Sequence, residues 1–174
     1  MPPLLALLHP FWEICLLRRG PQDLPASPFL VYLALGAHAA AVVFQALAVH
    51  SPLPALLSGV TDTAVLAALT ATLLLAGRLR ERIPQTLSAL AGSGALIGVL
   101  ALVPTWWWFF AQQGGSQPGG PWLLLLALVL WSLVVMGHVL RHALSTNLFV
   151  GLALAAVFYW FAITVRETLF PVTV

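Results

Sequence analysis

The chain has 174 residues, of which 61% are hydrophobic and only 7% charged, with a formal net charge of +2. Soluble domains carry about 25% charged residues, so this composition cannot cover a water-facing surface and makes the bilayer the main solvent. The scattered arginines form no nucleic-acid footprint, and the single cysteine, Cys15, excludes an intramolecular disulfide and a multi-cysteine metal site.

Residues 1–27 read as a cytoplasmic N-terminal segment rather than a simple signal peptide, since the stretch is proline-rich and carries Glu13 ahead of Arg18 and Arg19. Residues 9–19 predict a short helix with Pro10 in its first turn. A helix of about ten residues is too short to cross a hydrocarbon core of about 30 Å. It is expected to lie in the membrane interface, with Trp12 and the two arginines at headgroup level and Phe11, Trp12, Cys15 and Leu16 near one face. An irregular tail lying on the bundle is the plainer alternative. Pro21, Pro25 and Pro28 make the following stretch a stiff connector.

Residues 28–174 then read as a bundle of apolar spans at about 28–49, 54–77, 85–110, 121–142 and 146–170, each long enough to cross. Ser27 is a candidate N-cap. Pro28, Pro54, Pro84 and Pro121 mark four starts, Pro171 marks the last end, and Pro104 predicts a kink in the third span. The expected fold is an all-α integral membrane protein with five transmembrane helices and a short N-terminal interfacial helix. With the N-terminus in the cytoplasm, Arg18, Arg19, Arg78, Arg80, Arg82 and Arg141 share the inner side and Arg166 alone falls opposite, so the predicted orientation is N-in and C-out. Trp106, Trp107, Trp108 and Trp122 then form an outer aromatic belt.

Asp62 is the one acidic residue deep inside a span. An acidic side chain there costs about 2.5–3.5 kcal/mol, so it is expected to face the bundle, find partners or be protonated. His38 and Gln45 lie seven apart on the neighbouring span and bracket its depth; with Thr63 they make a candidate polar intramembrane cluster, and Arg166 is a possible charge partner. This cluster reads first as a structural clasp, second as a proton or solute pathway through Asp62 and His38, and third as a binding surface for another membrane subunit or an Asp62 simply near water. Below Thr70 and Thr72 the second span turns wholly apolar, which weakens a continuous path. His138 and His142 share a helix face at metal-ligand spacing, but no carboxylate or second ligand pair accompanies them, so no metal and no cofactor is expected. Gly94 and Gly98 form a GxxxG packing signal, serving contacts within the fold or with another chain. Ser58, Ser88, Ser93, Ser132 and Ser145 have no adjacent histidine and acid, and no nucleophile elbow, phosphate loop or dinucleotide fingerprint is present.

In topology the whole chain resembles the bacterial Yip1-domain-like membrane proteins: closely spaced spans, a cytoplasmic N-terminal segment, a basic loop after the second span and an external C-terminus. The run Leu17-Arg18-Arg19-Gly20-Pro21-Gln22-Asp23-Leu24-Pro25-Ala26-Ser27 is also similar to that of small proteobacterial inner-membrane proteins of unassigned function. The Asp-Leu-Tyr-Gly-Pro and Gly-Tyr-Gly patterns of eukaryotic members are absent. The resemblance implies an organising or interaction role in membranes without an established chemistry. The expectation is a non-enzymatic accessory or scaffold subunit in a bacterial inner membrane, in contact with lipids and with another integral membrane protein or a second copy of itself. A small proton-coupled transporter or channel is the alternative.

Overall fold

A computed structural model describes residues 3–116 and 119–171. Six α-helices follow in order: α1 (Pro3–Cys15), α2 (Pro28–Ala46), α3 (Pro52–Ala76), α4 (Ile83–Gln113), α5 (Gly119–Leu144) and α6 (Leu148–Leu169). No strand occurs among the described residues. The last five helices are long and apolar enough to cross a membrane, and each matches an expected span to within a few residues at either end. Large apolar side chains such as Phe29, Val103, Phe149 and Trp160 stand exposed around the bundle, as a lipid solvent permits.

Pro28 and Pro84 occupy first-turn positions of α2 and α4 as expected, where a missing N–H removes nothing from the helix ladder. The second span instead starts at Pro52, two residues before the expected Pro54. Ser27 is the N-cap of α2 but makes no side-chain cap bond. Pro104 lies inside α4, and the helix runs on past it to Gln113.

The packing centre is α4, not the Asp62-bearing helix. Its residues 86–93 are buried without a break, and a helix buried all round belongs at the core of a bundle. It packs against α2 on one side and α5 on the other, while α1 and the 20–24 stretch cover its remaining face. Hydrophobic transfer does not drive such contacts in lipid. Close backbone approach does, and small residues allow it. The Phe11 ring of α1 occupies the place where a side chain at Gly92 would stand. A Cβ on Gly94 would lie 2.9 Å from His38 Nδ1, and one on Gly98 3.0 Å from Ala41 Cβ. The GxxxG pair therefore seats α2 against α4 within the fold.

Four helices end in the same way. At α1, α3, α4 and α5 an amide one residue past the turn bonds back five positions: Arg18 to Glu13, Leu79 to Leu74, Ser116 to Ala111 and Thr146 to Arg141. This is the Schellman closure, and its pivot takes a left-handed backbone. Only one pivot is glycine, Gly115; the others are Leu17, Arg78 and Ser145. The α5 end is further secured by Arg82, whose Nη1 donates to Ala143 O and Ser145 Oγ, both at 2.8 Å.

The N-terminal helix departs from expectation in extent and in seat. It starts at Pro3, so Pro10 lies in its interior rather than its first turn, and it ends at Cys15 rather than near Arg19. Among its described side chains Phe11, Ile14 and Cys15 are buried, whereas Trp12 and, just past its end, Leu16 are exposed. It docks against α4 and α5. Trp131 Nε1 donates to Cys15 O at 2.9 Å, and the Trp12 and Trp131 rings meet edge-on at 6.2 Å. Trp131 stands roughly 20 Å from the α5 C-terminus at 1.5 Å per residue, so this end of α1 rests well up the bundle. Arg19 is paired with Glu13.

Burial pushes the Cys15 thiol up to about 11, and its Sγ lies 3.8 Å from Ser93 O. At neutral pH the group is a protonated thiol, and the thiolate is the reactive form. Maleimide labelling of the folded protein at neutral pH is expected to be at least roughly a hundredfold slower than that of the denatured chain. Equal rates, read by mass spectrometry, would show that α1 does not dock as described.

Candidate functional site

The short 47–51 connection makes α2 and α3 antiparallel neighbours, and His38 and Asp62 lie nearly equal distances from it along the chain. They meet: His38 Nε2 and Asp62 Oδ2 are 3.1 Å apart, with the side chains 14% and 20% exposed. When Asp62 is ionised it can only accept, and the imidazole Nε2–H then donates. The other ring nitrogen, Nδ1, is buried and unpartnered.

The rest of the expected cluster divides. Gln45 does not bond Asp62; its amide donates to Gly98 O of α4 at 3.1 Å, so it ties α2 to α4. Thr63 turns back on its own helix and donates to Gly59 O at 2.8 Å, a common fate for a hydroxyl inside a span. Arg166 makes no ion pair with Asp62 among the described residues.

What joins these groups is a cavity of about 650 Å³ between α2, α3, α4, α5 and α6. His38, Gln45, Asp62 and Arg166 all line it. Its wall runs from His50, Thr105, Arg166 and Glu167 at the tryptophan-bearing end down to Leu66, Leu69, Leu90 and Val135. Beyond these, towards the arginine-rich end, Thr70, Leu74, Ala89, Val139, Leu140 and Ala155 are fully packed. The cavity is thus closed towards the arginine-rich end, like the base of a cup. Ser58 Oγ, on its wall, is buried and without a hydrogen-bond partner.

One polar pair on the wall escaped the sequence reading. Ser132 of α5 and Tyr159 of α6 share a hydroxyl hydrogen bond, and both line the cavity. The available signal was counting: the two residues are nearly equidistant from the 145–147 turn, as His38 and Asp62 are from theirs.

The two α5 histidines have another task. His138 Nε2 donates to Arg19 O at 3.0 Å, and Arg141 Nη2 donates to its Nδ1 at 3.1 Å. Both ring nitrogens are engaged, and the His142 ring lies edge-on at 4.6 Å. The pair therefore anchors the N-terminal stretch to α5 and offers no free nitrogen on His138 for a metal. Among the described residues no group of three or more histidine, cysteine or acidic side chains could hold a metal ion.

No protein-family model, curated protein or solved structure matches the chain. Fold and site define its class: an all-helical protein with five helices long and apolar enough to cross a membrane, and a cavity closed at one end with a histidine–aspartate pair on its wall.

Proposed function

We propose that this chain is a non-enzymatic, multi-pass protein of a bacterial inner membrane, oriented N-in and C-out, that serves as an accessory or scaffold subunit beside another membrane protein. One observation carries this reading: the polar groups within the bundle tie one element to another. His38 bonds Asp62 across α2 and α3, Gln45 bonds the α4 backbone, Trp131 and His138 hold the N-terminal stretch, and Arg82 holds the end of α5. A protein that spends its polar side chains on its own rigidity suits the holding of partners better than chemistry. The placement of the arginines supports the orientation, and the topology is like that of the Yip1-domain-like proteins.

The transport alternative draws on the cavity, because Asp62 stands on its wall. The packed core beyond Leu66 and Val135 favours the scaffold reading over a through-path. The two readings separate on Asp62→Asn in purified, reconstituted protein. The scaffold reading expects a loss of about 1 kcal/mol of stability, seen as a lower midpoint of thermal unfolding in detergent, with weaker retention of co-purifying membrane protein and no proton-driven uptake in either form. Uptake by the wild type that Asp62→Asn abolishes would overturn it. Reporter fusions to the two termini test the orientation, with a cytoplasmic signal expected at the N-terminus only.

A further inference from the structure

We propose that the cavity is a binding site for an organic amine, with the ammonium group on Asp62 and the apolar body against the apolar wall of the cup. Asp62 gives only Oδ2 to His38; among the described residues Oδ1 has no hydrogen-bond or ion-pair partner. The carboxylate is one-fifth exposed, and it lines the cavity. An ionised Asp62 beside a neutral His38 that donates its Nε2–H would give the pair a full negative charge in largely apolar surroundings. Such a charge is costly unless a counter-charge with its own hydrogen bonds reaches it, and an ammonium supplies both.

The rest of the cup suits the body of such a molecule. A volume of about 650 Å³ falls within the range of about 300–1,000 Å³ typical of small-ligand sites, which are mostly apolar with a few placed polar groups. Leu66, Leu69, Val135, Met136 and Phe158 supply the apolar wall. Asp62 and Tyr159 both sit roughly 15 Å along their helices from the tryptophan-bearing end, so the phenol stands at the level of the carboxylate, where an aromatic face favours a cation. At that end of the wall Arg166 and Glu167 carry opposite charges, so an ionised Asp62 would set the sign of the interior. An anionic ligand would meet that carboxylate unpaired, and a neutral one would leave it unpaired.

The test uses the full chain in lipid nanodiscs. The probe is a dansyl-labelled alkylamine with a free terminal ammonium, compared with the alcohol of the same skeleton; empty nanodiscs report partition into lipid. Saturable amine binding is expected, about tenfold or more tighter than alcohol binding and about tenfold weaker in Asp62→Asn. Asp62→Asn also loosens the clasp, so a second variant, Ala162→Phe, fills the cavity from a wall position without touching the His38–Asp62 pair. It is expected to abolish binding with the unfolding midpoint retained. Equal affinity for amine and alcohol, binding that survives Ala162→Phe, or no saturable signal above empty nanodiscs from folded wild type would each overturn the proposal. None of these outcomes bears on partner retention, so the scaffold reading stands or falls separately.

Discussion

Gly151→Ala is expected to be among the most damaging single-methyl changes in this protein, costing about 3 kcal/mol and lowering the thermal midpoint sharply in detergent. Gly151 opens α6, and a Cβ placed there would collide with the carbonyl oxygen of Gly137 in α5. Gly137 is equally confined, since its own Cβ would lie 3.1 Å from the Leu152 backbone. The obstacle is helix backbone on both sides, and backbone cannot rotate aside as a long side chain can. The two helices must instead separate, forfeiting the close packing that holds spans together in lipid. Separation would also break the Ser132–Tyr159 bond and widen the cup. Gly36→Ala is the matched control. That glycine lies within α2, and a methyl added to it would meet nothing within 4 Å. The change is expected to be neutral or to gain up to about 1 kcal/mol from helix propensity. Similar midpoints for the two variants would show that α5 and α6 do not cross at these glycines.

Ile14→Asp is expected to release α1 from the bundle. Ile14 is wholly buried, and its neighbours Phe11 and Cys15 pack into the same cluster with Leu90 and Val135. A carboxylate there has no cation to meet and costs several kcal/mol, on the order of 3–5, if α1 stays docked. Undocking avoids that cost, because α1 is held by few elements and α2–α6 keep their own interfaces. The expected signature is local. Cys15 becomes labelled by maleimide at close to the denatured rate, trypsin cuts after Arg18 or Arg19, and the melting of the remaining helices moves little. Loss of all helical signal would instead make α1 part of the cooperative core.

The spans were legible because apolar runs of this length have few alternatives and because prolines punctuate them. The His38–Asp62 contact was legible for a geometric reason: a short turn forces antiparallel neighbours, so residues equally far from it face each other in depth. Gln45 shares the stripe with His38 but follows a different partner, since α2 lies most closely on α4, and no local pattern announces a contact between residues 53 positions apart. The central place of α4 was half visible. Its small residues were plain, but its wrapping by Phe11 and Ile14 depends on a helix distant in sequence. Pro10 misled the reading of α1, because proline more often starts a helix than sits inside one. Three helix ends were silent for a related reason: Leu17, Arg78 and Ser145 adopt a left-handed backbone usually announced by glycine.

The packed end of the cavity has a consequence for exchange. Thr70, Leu74, Val139 and Leu140 are fully buried beyond its floor, so contents exchange on the near side of that floor and not through it. If the proposed site holds its amine, occupancy changes without passage along the bundle, and a partner resting on the surrounding helices could respond to the difference between a filled interior and an empty one.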